Sequence, residues 1–68
     1  MTFYIYDFNE YMGDLLLTTD DYEHEIRVDM SDTWNEDTET WDEEAGRKKA
    51  ENAVSAAYPG STVEFYYI

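Results

Sequence analysis

Cysteine is absent from this 68-residue chain, proline occurs once, glycine three times, and only 4 Lys and Arg stand against 17 Asp and Glu. Without cysteine there is no thiol nucleophile, no disulfide framework and no Cys-ligated zinc, a composition that fits a reducing compartment. No apolar run approaches the roughly 20 residues of a membrane helix, and Met1-Thr2-Phe3-Tyr4 lacks the basic n-region of a signal peptide. A soluble, cytoplasmic protein is expected. The scarcity of bases leaves a formal net charge of −13, which repels DNA, RNA and anionic membranes, so none of these is expected as a direct ligand.

What the chain has instead is aromatic side chains: 7 Tyr, 3 Phe and 2 Trp. Charge-driven disordered chains are poor in aromatics, so this content predicts a folded state. Residues 1–68 are too few for two cores, and a chain of this size buries only about 60% of its unfolded surface. A single small domain with one tightly packed core follows, helped by a partner or a second copy.

Thr2 to Phe8 reads as a strand with Phe3 and Ile5 on one face and Tyr4, Tyr6 and Phe8 on the other, apolar on both sides as in a central strand. Asn9 to Asp14 with Gly13 is a turn, Leu15 to Thr19 a second strand, and Asp20-Asp21 another turn. From Glu23 to Met30 the residues alternate, with His24, Ile26, Val28 and Met30 opposite Glu25, Arg27 and Asp29. Ser31 to Glu39 has no period and reads as a loop. Thr40-Trp41-Asp42-Glu43 matches a capping box, which predicts a helix from about Trp41 to Ala57 or Tyr58, stopped by Pro59-Gly60. Thr62 to Ile68 alternates again as a last strand.

Gly46, Ala50, Ala53, Val54 and Ala57 share one side of that helix, and all are small. A helix with such a face can lie close to a sheet carrying Phe3, Ile5, Leu15, Leu17, Ile26, Val28 and Phe65. The expected class is α+β: a small antiparallel sheet in the order β-β-β-α-β with one helix packed on one face. A right-handed crossover brings the fourth strand beside the first, in the order 4-1-2-3.

The charge is segregated. Residues 1–46 hold 15 acids and one base, Arg27, whereas residues 47–68 hold two acids and three bases. Arg47 and Lys48 follow Glu43 and Glu44 at i,i+4, a spacing that predicts intrahelical pairs. Asp29, Asp32, Glu36, Asp37, Glu39, Asp42, Glu43 and Glu44 fall within sixteen residues without a base, and Asp20, Asp21, Glu23 and Glu25 precede them. Carboxylates two residues apart on extended chain repeat at about 6–7 Å, comparable with phosphates along a nucleic-acid strand. Such a surface can occupy a groove built to hold phosphates, although acids also serve solubility alone. Trp34 and Trp41 lie inside the same stretch, where an indole can stack on a guanidinium or anchor a contact. Trp41, next to the helix start, is also suited to capping the core, which leaves Trp34 as the interface candidate. Tyr4, Tyr6, Phe8 and Tyr66 are expected on the sheet face opposite the helix, as a patch for a dimer or partner or as ordinary sheet surface.

Catalytic signals are missing. His24 is the single histidine, its alternation with Ile26 and Val28 suits a half-buried strand residue, and no P-loop, G-x-S-x-G, H-E-x-x-H or dinucleotide fingerprint occurs. Read as a calcium loop from Asp29, the chain places Trp34 where the sharp turn needs glycine and has no terminal Glu. No catalytic residue, metal site or cofactor is therefore expected.

The short, cysteine-free, strongly acidic and aromatic-rich chain, with its acid-dense segment Asp29 to Glu44, resembles small phage-encoded inhibitors of bacterial defence, the anti-CRISPR and antirestriction proteins, several of which are DNA mimics. That resemblance implies a non-enzymatic inhibitor in the cytoplasm of a bacterial host cell. It would bind a CRISPR effector subunit or restriction enzyme and block access of DNA or RNA. The partner-binding candidates are Asp20, Asp21, Glu23, Glu25, Asp29, Asp32, Trp34, Glu36, Asp37, Glu39, Asp42, Glu43 and Glu44. Two alternatives stay open: an acidic structural or adaptor module that dimerises through the Tyr4, Tyr6 and Tyr66 face, and an antitoxin-like partner of one basic protein.

Overall fold

The computed structural model describes all residues, Met1–Ile68. Strands β1 (Thr2–Asn9), β2 (Asp14–Thr18) and β3 (Glu25–Asp29) form an antiparallel meander. A 3-10 turn (Ser31–Thr33), the short strands β4 (Trp34–Asn35) and β5 (Thr40–Trp41), helix α1 (Glu43–Ala57) and strand β6 (Thr62–Tyr67) follow. The main sheet has the order β3-β2-β1-β6, with the last strand beside the first as a crossover connection requires. Because the chain crosses over through α1, β6 runs parallel to β1, and the α+β sheet is mixed rather than wholly antiparallel.

The core lies between the sheet and α1. Phe3, Leu15, Leu17 and Val28 from the sheet, with Met30 just after β3, meet Ala50 and Val54 from the helix, all buried. Gly46 and Ala53 are half-buried on the same stripe, whereas Ala57 is exposed. Tyr58 closes this end instead, its ring 5.3 Å from those of Phe3 and His24.

Three local features depart from simple periodicity. Ile5 pairs with Leu17 but Asp7 with Leu16, so Tyr6 is an extra residue in β1. A bulge of this kind puts two residues opposite one and reverses the alternation beyond it. Phe8, expected on the face away from the helix, therefore turns to the core side and packs edge-on to Trp41 at 5.1 Å. Second, the segment expected as a loop contains a hairpin in which Trp34 pairs with Trp41 and Asn35 with Thr40. Asn35 Oδ1 accepts from the amides of Asp37 and Thr38 at 2.9 and 3.4 Å, and Glu39 adopts φ 53°, so the turn is built by an Asx contact and one left-handed residue. Third, Thr40 is held in β5 and does not cap α1. The cap is Asp42, whose carboxylate accepts from the Ala45 amide at 3.1 Å.

Candidate protein-interaction surface

The strand directions sort the acidic residues to two ends of the sheet. Asp20, Asp21 and Glu23 occupy the β2–β3 turn, with Glu25 starting β3 beside them. At the other end of β3, about 13 Å along the strand, stand Asp29, then Asp32 in the 3-10 turn, Glu36, Asp37 and Glu39 in the β4–β5 turn, and Asp42, Glu43 and Glu44 at the start of α1. The thirteen sequence-predicted residues do not form one surface, and Asp29 to Glu44 is not an extended row, because turn, hairpin and helix fold it into a cluster.

Four of these carboxylates are engaged inside the fold. Asp21 accepts from the Thr19 hydroxyl at 2.5 Å and from the Glu23 amide at 3.1 Å. These bonds hold its pKa below the ordinary value of 3.8. Asp29 is lowered in the same way by the Ser31 hydroxyl and by the Ser31 amide at 2.9 Å. Asp42 caps α1, and Asp32 accepts from Lys49 Nζ at 2.7 Å in the molecule's single salt bridge. The expected Glu43–Arg47 and Glu44–Lys48 pairs do not form. Arg47 instead lies over the Phe65 ring, 5.4 Å from its centroid. Glu36, Asp37, Glu39, Glu43 and Glu44 thus keep their charge uncompensated by any base.

The β1–β2 turn adds to this end residues that periodicity did not single out. Asn9 Oδ1 accepts from the Tyr11 and Met12 amides at 3.1 and 3.2 Å, and Gly13 takes φ 75°. Met30 N donates to Gly13 O at 2.7 Å, and a Cβ at position 13 would stand 2.9 Å from Ser31 N. Only glycine permits that approach, which sets Glu10, Tyr11 and Met12 against Ser31 and Trp34. Tyr11 is 93% exposed, Met12 66% and Trp34 40%. The signal for them was present: large apolar residues in a turn between acids, Glu10 and Asp14, have no core within reach. Trp41 is half-buried against the core, as expected of a residue capping it beside the helix start, and is edge-on to both Phe8 and Trp34.

Two other surfaces stand out. On the sheet face opposite α1, Tyr6, Tyr22 and Tyr66 are each more than half exposed, and the Tyr4 and Tyr66 rings lie 5.4 Å apart. Partial burial, then the neighbouring Tyr66, Asp20 and Glu64, push the Tyr4 hydroxyl above its ordinary pKa of 10.0. Between α1 and the sheet lies a largely apolar crevice of about 310 Å³, lined by Phe8, Met30, Gly46 and Phe65 among others. His24 packs edge-on to Tyr58, and no three His, Asp or Glu side chains converge as metal ligands do. No helix is long and apolar enough to cross a membrane. No protein-family model, curated protein or solved structure matches the chain.

Proposed function

We propose that this chain is a non-enzymatic inhibitor of the anti-CRISPR or antirestriction kind, which covers a basic nucleic-acid-binding surface of a bacterial defence complex and denies it to DNA or RNA. One observation carries the reading: the exposed side chains of Tyr11, Met12 and Trp34 share one end of the sheet with Glu10 and with the hairpin and helix start that carry Glu36, Asp37, Glu39, Glu43 and Glu44, none of them in a salt bridge. Separated charge of one sign steers encounter with a basic partner, and exposed aromatics supply contacts of short range. Glu36, Asp37, Glu39, Glu43 and Glu44 make no contact with a base and are free to meet a partner, while Asp21, Asp29 and Asp42 also accept from local backbone amides and Asp32 pairs with Lys49.

Immobilised protein should capture from bacterial lysate a nuclease or CRISPR component, and the complex should weaken with salt and be displaced by DNA. Reversal of Glu36, Asp37 and Glu39 to lysine should abolish capture, whereas reversal of Asp20 and Glu23 at the far end should not. Capture indifferent to salt, DNA and the triple reversal refutes the proposal. A second reading is favoured by the exposure of Tyr6, Tyr22 and Tyr66: self-association across the open sheet face of an adaptor module. Sedimentation should then show a concentration-dependent dimer that Tyr6→Ser with Tyr66→Ser dissolves. A monomer at all concentrations excludes it.

A further inference from the structure

The hollow between the β1–β2 turn and the β4–β5 hairpin has a volume of about 230 Å³ and is lined by Glu10, Tyr11, Met12, Gly13, Ser31 and the two tryptophans. The indoles meet at 5.0 Å with their planes inclined by 66°, which makes a corner of two aromatic walls. Glu10 supplies a carboxylate, and no base lines the hollow. We infer that this corner is a receptor for a guanidinium, the side chain of an arginine presented by the partner. The inference rests on the reading of this end as the partner-binding surface and names what that surface grips.

The chemistry selects the ligand. An indole face attracts a cation through its quadrupole, and the flat guanidinium can stack on one ring while its N–H groups reach a carboxylate. A compact ammonium is more strongly hydrated and cannot stack as a plane. An apolar side chain would gain nothing from Glu10 or from the net charge of −13, and would strip water from the carboxylate. Trp41 is half-buried and packed edge-on with Phe8 as well, so the corner exists before the ligand arrives and little ordering is lost on binding.

The test uses the full chain and two synthetic peptides, Ac-Gly-Arg-Gly-amide and the same peptide with citrulline, an uncharged near-isostere of arginine. The indole N–H resonances of Trp34 and Trp41 are followed by NMR. The arginine peptide should shift both saturably and the citrulline peptide should not. Trp34→Ala and, separately, Tyr11→Ala should each weaken binding about threefold, with Trp34→Phe retaining most of it. Because Tyr11 is almost wholly exposed, its variant reports on the hollow even if the Trp34 variant fails to fold. Equal response to both peptides overturns the inference, as do shifts confined to the Glu36, Asp37 and Glu39 amides, or a Tyr11 variant that binds unchanged. The peptides need no host protein, so such a result removes the guanidinium receptor while lysate capture decides the inhibitor reading independently.

Discussion

Replacing Gly46 by alanine should stabilise the protein, and its size can be worked out from position. Gly46 is the fourth residue of α1, and its amide donates to Asp42 O at 2.9 Å. An added Cβ would meet only Met30 Sδ, at 3.9 Å, an ordinary contact at the edge of the apolar crevice. The change removes the entropic penalty of glycine inside a helix, about 0.8–1.0 kcal/mol. Unfolding entropy of about 2.1 cal/mol/K per residue gives about 0.14 kcal/mol/K for 68 residues. Thermal unfolding followed by circular dichroism should therefore show Tm raised by about 6–7 °C. Gly13→Ala is the opposing control: its φ of 75° and the 2.9 Å approach to Ser31 N predict a loss exceeding the 1–2 kcal/mol or so of a left-handed alanine. A Gly46 variant with unchanged or lowered Tm would mean that the crevice beside the helix is not open, and the packing described for α1 would be wrong.

The helix cap gives a second contrast: Asp42→Ala should cost about 1 kcal/mol in urea unfolding, and Thr40→Ala distinctly less; the reverse order would restore Thr40 as the cap. With one salt bridge against a net charge of −13, screening relieves more repulsion than attraction, so Tm should rise as NaCl is raised from about 0.01 to 0.15 M. A falling Tm would show that attractive pairs dominate. Asp21 and Asp29 titrate below their ordinary value of 3.8 in the folded state, so their contribution is complete above that pH and is lost as pH falls through the lower folded values. The stability deficit of Asp29→Asn should accordingly be larger at pH 7 than at pH 2, and a constant deficit would deny the Ser31 contacts. Tyr4, raised above 10.0, contributes below that pH and loses its contribution as pH rises through the folded value, so Tyr4→Phe should lessen alkaline destabilisation measured by denaturant titration.

Elements with a sustained hydrophobic period were legible in the sequence. The β1 to β3 meander, the helix ended by Pro59-Gly60 and the return of β6 beside β1 all follow from alternation, breakers and crossover rules. What escaped depended on contacts between distant residues. A one-residue bulge at Tyr6 leaves the composition of β1 untouched, so Phe8 could be assigned a face only once its pairing with Leu15 was known. Strands of two residues show no period, and the hairpin rests on Trp34 meeting Trp41. Thr40 and Asp42 are both good capping residues, and strand pairing decided between them. At the candidate surface the acid-rich segment and Trp34 were visible, but the four structural carboxylates and the contribution of Tyr11 and Met12 were not. These are set by which amide, hydroxyl or turn folds against them.

The place of β1 between β2 and β6 also governs the order in which the molecule can assemble. Thr2 pairs with Thr62, while β1, β2 and β3 are joined by short turns. Closing a loop of about 60 residues carries a length-dependent entropy of about 3.6 kcal/mol, which the tight turns of the meander largely avoid. The meander is thus the part that nucleates readily, and the docking of β6, which completes the sheet alongside the buried Phe3, is the late step. Without β6, one edge of β1 would lack partners for its backbone amides and carbonyls and would be open to pairing with another chain. The net charge of −13 would repel a second copy from that open edge.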